Sequence, residues 1–226
     1  MNSMFADTYS LTYLDLSSFN TINVTDMSYM FCINGSTYNS GIRDTLTKII
    51  GIENFNTSNV TNMQQIFDGC SLLTSLVLSN FNTTSLTNAS YMFRNCSKIN
   101  ITLNIHSNPS SYNGAFYNAV TESGSGIVVN YNVNTSNIDN IIATKSSNSN
   151  VTKGSLFYDI IYYSNEGSKC QSTPVMSGDS VTTLCTPTKD GYTFEGWYTD
   201  DETFNNRINI GYTPNNTQVY AKWTSN

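Results

Sequence analysis

Five cysteines and one histidine, Cys32, Cys70, Cys96, Cys170, Cys185 and His106, are the residues of this 226-residue chain suited to nucleophilic, redox or soft-metal chemistry. A structural zinc site takes four Cys/His ligands, usually with two cysteines closely spaced. No CxxC pair occurs, so no metal site is expected. A Cys–His nucleophile needs the base within reach and a third group to orient the imidazole. Cys96 and His106 are the candidate pair, but the repeat described below gives Cys96 a packing role. The acids Asp200, Asp201 and Glu202 in "TDDET" (199–203) supply fewer oxygens than a calcium loop, which needs six or more. They read as a solvated turn. No catalytic residue and no cofactor is expected, and the chain reads as a non-enzyme.

The bulk composition agrees with a folded binding or structural protein. Hydrophobic residues make up 38% and charged residues 12%, so Asn, Ser, Thr and Tyr must solvate the surface. A disordered chain would carry more charge and fewer aromatics. A net charge of −6 argues against nucleic acid, whose phosphates demand clustered Lys and Arg. No long apolar run suggests membrane insertion. "MNSMFADTYS" has no basic-then-apolar leader pattern, so the chain reads as cytosolic or as a piece excised from a longer protein; the repeats below favour the piece.

The elements that carry these residues repeat. Phe19, Phe55 and Phe81 are separated by 36 and 26 residues, and Phe31, Phe67 and Phe93 keep the same steps. The unit is therefore 26 residues, with ten extra in the copy holding "CINGSTYNSGIRD". Such a period implies a solenoid whose units bury their apolar faces against each other. "SLVLS" (75–79) alternates like a strand; Leu14 and Leu16, Ile50 and Ile52, and Leu103 and Ile105 match Leu76 and Leu78. The spacing of Val60, Met63 and Phe67 predicts a short helix, with Thr61 and Gln64 as a capping box and Gly69 at its end. Cys70 and Cys96 then stack on adjacent units as buried thiols, leaving Cys32 beside the insertion as the accessible one. Asn-x-Ser/Thr triplets at Asn23, Asn59, Asn82, Asn88 and Asn95 follow from turn chemistry as readily as from glycosylation.

"CSLLTSLVLSNF" followed by "FNTSNVTNM" and a closing Phe resembles the 26-residue leucine-rich repeat of BspA-like bacterial surface proteins, over roughly residues 4–118. The resemblance implies an α/β leucine-rich-repeat solenoid of short parallel strands and short helices. "VNTSNIDNII" (133–142) reads as a degenerate closing copy, so the solenoid and its cap are placed at 1–150. After the polar stretch "ATKSSNSNVTKG" (143–154), "GYTFEGWYTD" and "YAKW" resemble the Listeria–Bacteroides repeat, also known as the internalin B-repeat. This implies a small, mainly-β, β-grasp-like domain at 155–226, with Tyr192, Phe194, Trp197, Tyr220 and Trp223 in its core. A Cys170–Cys185 bridge would close a loop of about 15 residues and contribute on the order of 3 kcal/mol; two unrelated thiols is the alternative.

With Leu14, Leu16, Leu76 and Leu78 inward, the outward strand positions are Tyr13, Asp15, Ser17, Gly51, Glu53, Val77, Ser79, Asn104 and His106. This face is the candidate binding site. Both resemblances imply exported proteins, so the expected function is adhesion to, or recognition of, a protein or glycan on a host or neighbouring cell. Localisation is then the cell surface or the secreted space, with the C-terminal module as spacer. The rivals are a ligand-free structural stalk and, on Cys96 and His106, a cysteine-dependent enzyme.

Overall fold

A computed structural model describes residues 1–33, 45–78, 80–215 and 217–226; the ten-residue insertion and Ser79 lie outside them. The chain divides into two compact units, Met1–Gly154 and Ser155–Asn226.

The first unit is a stack of layers, one per repeat. Strands β1 (Tyr13–Asp15) and β2 (Lys48–Ile50) pair in parallel, as do β3 (Asn100–Ile105) and β4 (Gly126–Asn132). Single parallel bridges run Asp26–Asn62–Asn88–Ser111 through the layers. Phe5, Phe31, Phe67, Phe93 and Phe116 form one column, with neighbouring ring centres 5.3–6.1 Å apart and planes within 15°. Each aromatic pair contributes about 0.5–1.5 kcal/mol beyond its buried area. Cys70 donates its thiol to the Phe31 carbonyl and Cys96 to that of Phe67. Cys32 is buried too, contrary to its expected accessibility.

The expected α/β leucine-rich-repeat solenoid is not what forms. Among the described residues the one α-helix is α1 (Ile138–Ile142), five residues long, with a single 3-10 turn at Ile52–Asn54; the rest is strand, turn and irregular chain. The apolar spacing of Val60, Met63 and Phe67 is real, and all three are fully buried. The backbone, however, sends alternate amides across the stack: Met63, Gln65, Phe67 and Gly69 donate to Asn88, Ser90, Met92 and Arg94 of the next layer. Between them, Ile66 donates to Met63 and Asp68 to Gln65, three residues back. An α-helix needs every amide to bond four residues back within its own segment. Gln65 (φ 54°) and the equivalent Tyr29 and Tyr91 (φ 57°) are left-handed, which interrupts a right-handed helix. The capping box is likewise replaced: Asn62 Oδ1 accepts the Gln64 amide, and Thr61 donates to the previous layer at Thr25. The described part of "SLVLS", residues 75–78, keeps its alternation, with Leu76 and Leu78 buried and Val77 exposed, but forms no regular strand.

The repeated Asn-Thr pair explains itself. Asn20, Asn56 and Asn82 each accept the amide two residues on, closing an Asx turn. Thr21 and Thr57 each accept the amide and donate to the carbonyl of the next layer's Asn56 and Asn82. One residue shapes its own turn while the other staples it to the next.

The second unit is built of strands: β5 (Val151–Tyr163, begun in the first unit), β6 (Thr173–Met176), β7 (Tyr192–Tyr198), β8 (Arg207–Ile208) and β9 (Thr217–Ser225). β5 pairs with β6 antiparallel and β9 parallel, and β7 pairs with β8 and β9 antiparallel. No helix occurs among its described residues, so the helix of a β-grasp is not there. Ile160, Val175, Val181, Trp197 and Val219 make the core, with Phe194 and Trp223 packed at its side. Tyr192 is 42% exposed and Tyr220 stacks on Tyr163, so these two do not serve the core as expected. Cys170 and Cys185 form a disulfide, Cα atoms 6.0 Å apart, and the Cys185 carbonyl accepts the indole N–H of Trp197.

Candidate functional site

The strand face of the first unit divides sharply between open and closed positions. On β1, Tyr13 is 47% exposed, and Asp15 and Ser17 lie open beside it. Asp15 Oδ1 accepts the Ser17 amide at 2.9 Å, and hydrogen bonds from Ser17 hold its carboxyl below the usual carboxylate range. Across the ladder, Lys48 sits opposite Tyr13 and Ile50 opposite Asp15. Further along, Val77 is 56% exposed, and Thr102 pairs with the exposed Val128. Glu53 is half-buried, its carbonyl accepting Asn80 Nδ2.

Three expected face residues are closed. Gly51 is buried with φ 79°, and a Cβ there would lie 2.3 Å from the Ser17 nitrogen. The cause is a one-residue slip: Ile49 pairs with Leu14 and turns inward, while Ile52 is inward again. Gly51 absorbs the extra residue in a left-handed bend that a side chain resists. Asn104, opposite Asn130 on β4, accepts its amide at 3.1 Å, and Asn130 in turn lies against Gly154. His106 is 5% exposed; its backbone amide donates to Thr83 Oγ1 at 2.8 Å, and its Nδ1 lies 3.3 Å from the Thr83 amide. Burial pushes the imidazole down to about pH 4. The ring is held at Thr83, and the Cys96 thiol donates to the Phe67 carbonyl.

The acids of 199–203 also resolve into structure. Asp200 accepts the Thr203 hydroxyl and the amides of Thr203 and Phe204, and these bonds, Thr203 first, hold its carboxyl down at about 2. Among the described residues no cluster of His, Cys, Asp and Glu could hold a metal ion, and no helix is long and apolar enough to cross a membrane.

A cross-layer clamp lies outside the expected strand face. Asp68, 2% exposed at its side chain, meets Arg94 in two contacts and accepts Gln65 Nε2 at 2.8 Å, while Arg94 lies 4.7 Å over the Tyr91 ring. The signal was available: Asp68 and Arg94 carry opposite charges one 26-residue period apart.

Comparison with known families returns two matches. A family described as Listeria–Bacteroides repeat domain matches residues 158–222. A family described as Mycoplasma protein of unknown function, DUF285, matches residues 1–48 and 42–153. The match over the first unit is thus to this family and not to a BspA-like leucine-rich repeat. No curated protein matches the chain.

Proposed function

Since the chain belongs to the DUF285 family and joins it to a Listeria–Bacteroides repeat domain, we propose that it is a non-enzymatic binding segment of an exported bacterial protein. Its open strand face recognises a protein or glycan on a host or neighbouring cell. The carrying observation is that Tyr13 on β1, Val128 on β4 and Val77 on the extended segment between them stand exposed on a hydrogen-bonded stack. Large side chains on a preorganised backbone bind with little ordering cost. Asp15 and Lys48 beside Tyr13 add polar groups of both signs. The Cys170–Cys185 disulfide supports an oxidising, extracellular setting.

The test is direct: the whole chain is immobilised and probed with a glycan array and purified extracellular-matrix proteins. A ligand that binds is remeasured with Tyr13→Ala and Val77→Ala, and each is expected to weaken it roughly tenfold, the loss of a well-buried anchor. Unaltered affinity in both variants rejects the face. Silence on both panels rejects the binder and leaves a structural stalk.

A further inference from the structure

The second unit carries a cleft that the spacer role does not use. It is open, about 530 Å³, and lies where β9 ends against the turn 164–167. Its walls include Trp223, Tyr192 and Phe204, together with Lys189 and Lys222.

The site is built. The indole N–H of Trp223 donates to the Ser164 carbonyl at 2.9 Å. Gly167 sits beneath the ring, where a Cβ would lie 2.4 Å from Trp223 Cζ2. Asn165 and Glu166 hold left-handed φ values of 48° and 69°, and Asn165 Nδ2 donates to the Ala221 carbonyl. The turn and the ring are thereby fixed to each other. Lys189 is committed: it bonds Glu166 at 3.0 Å and the Asn165 carbonyl at 3.2 Å, and lies 4.5 Å over Tyr192.

Lys222 differs. Of the nine described bases, Arg94, Lys98, Lys153 and Lys189 each meet a carboxylate; Lys48, Lys145, Lys169, Arg207 and Lys222 pair with none among the described residues, and of these five it is Lys222 that lines the cleft. Lys222 Nζ instead lies 5.5 Å from the Tyr198 ring centre and 5.8 Å from that of Phe204, with no carboxylate paired to it among the described residues. A partly buried ammonium over two rings attracts an anion, and the strongest partner for it is a carboxylate.

We propose that this cleft binds an acidic sugar of the uronate class. The carboxylate meets Lys222, the apolar face of the pyranose lies on an aromatic wall, and the hydroxyls meet Asn165 and Glu166. The assignment goes beyond the strand-face reading and is independent of it, because it places a ligand on the module otherwise given a spacer role.

The experiment titrates the whole chain with a galacturonic acid trisaccharide, and with maltotriose as its neutral counterpart, following the two tryptophan indole N–H signals by NMR. The acidic trisaccharide should bind saturably and move the Trp223 signal while leaving buried Trp197 in place. Lys222→Gln should weaken binding roughly tenfold or more, the loss of one charge-assisted hydrogen bond. Lys169→Gln, an exposed lysine outside the cleft, should leave it unchanged, with both variants keeping the parent tryptophan spectrum. No binding, equal binding of maltotriose, or equal losses in the two lysine variants overturns the proposal.

Discussion

Thr57→Val is the substitution that separates hydrogen-bond routing from hydrophobic pattern. Thr57 is fully buried, so a hydropathy argument expects Val to be neutral or stabilising. In the structure its hydroxyl accepts the Asn82 amide at 2.7 Å and donates to the Asn82 carbonyl at 3.0 Å. Valine keeps the shape and removes both bonds, stranding an N–H and a C=O at a residue only 9% exposed. Each stranded group costs about 1–3 kcal/mol, and the added methyl recovers part of that, so a net loss of about 2–4 kcal/mol is expected. Thr61→Val is the control: its hydroxyl bonds Thr25 at 3.2 Å in the open, where water replaces the partner, so the loss should stay below about 1 kcal/mol. Both tryptophans lie in the second unit. In urea unfolding, far-UV circular dichroism reports both units and tryptophan fluorescence the second alone, so a dichroism change without a fluorescence change belongs to the first unit. The dichroism transition should shift in Thr57→Val while the fluorescence transition stays, and the Asn82 amide should exchange faster. A variant within about 0.5 kcal/mol of the parent, the scatter of ordinary surface changes, would refute the staple.

The two units should respond oppositely to acid. His106 titrates at about 4 when folded against an ordinary 6.5, so the unfolded chain takes the proton first. First-unit stability is complete above 6.5 and falls by on the order of 3 kcal/mol as pH drops to 4; His106→Gln should flatten that slope in dichroism-detected melts. Asp159 is pushed up by burial to about 7 from an ordinary 3.8, so the unfolded chain loses its proton first. Second-unit stability is complete below 3.8 and falls by on the order of 4 kcal/mol as pH rises to 7; fluorescence melts of Asp159→Asn should lose that dependence. Replacing Cys170 and Cys185 by Ser reopens a loop whose ends are 15 residues apart and should lower the fluorescence-detected stability by about 3 kcal/mol, leaving hydrogen exchange at the first unit's Asn82 amide unchanged.

The sequence by itself determined the repeat unit, the buried Phe, Met and Leu positions, and the Listeria–Bacteroides module with its Trp197 core. Side-chain periodicity and turn-forming residues are local properties, and a chain states them directly. It also carried the open positions Tyr13, Asp15, Ser17 and Val77, because alternation on a strand needs no partner to be read. Tertiary structure decided the rest. The spacing of Val60, Met63 and Phe67 says which side chains are inside, but not where the amides between them go. A neighbouring layer was there to accept every second one, and the helix gave way to a ladder of turns. The same layers closed Gly51 through a one-residue slip and drew Asn104 and His106 under Asn130 and Thr83. A residue's exposure in a stack depends on what the next layer places over it, and that information lies a full repeat away in the chain.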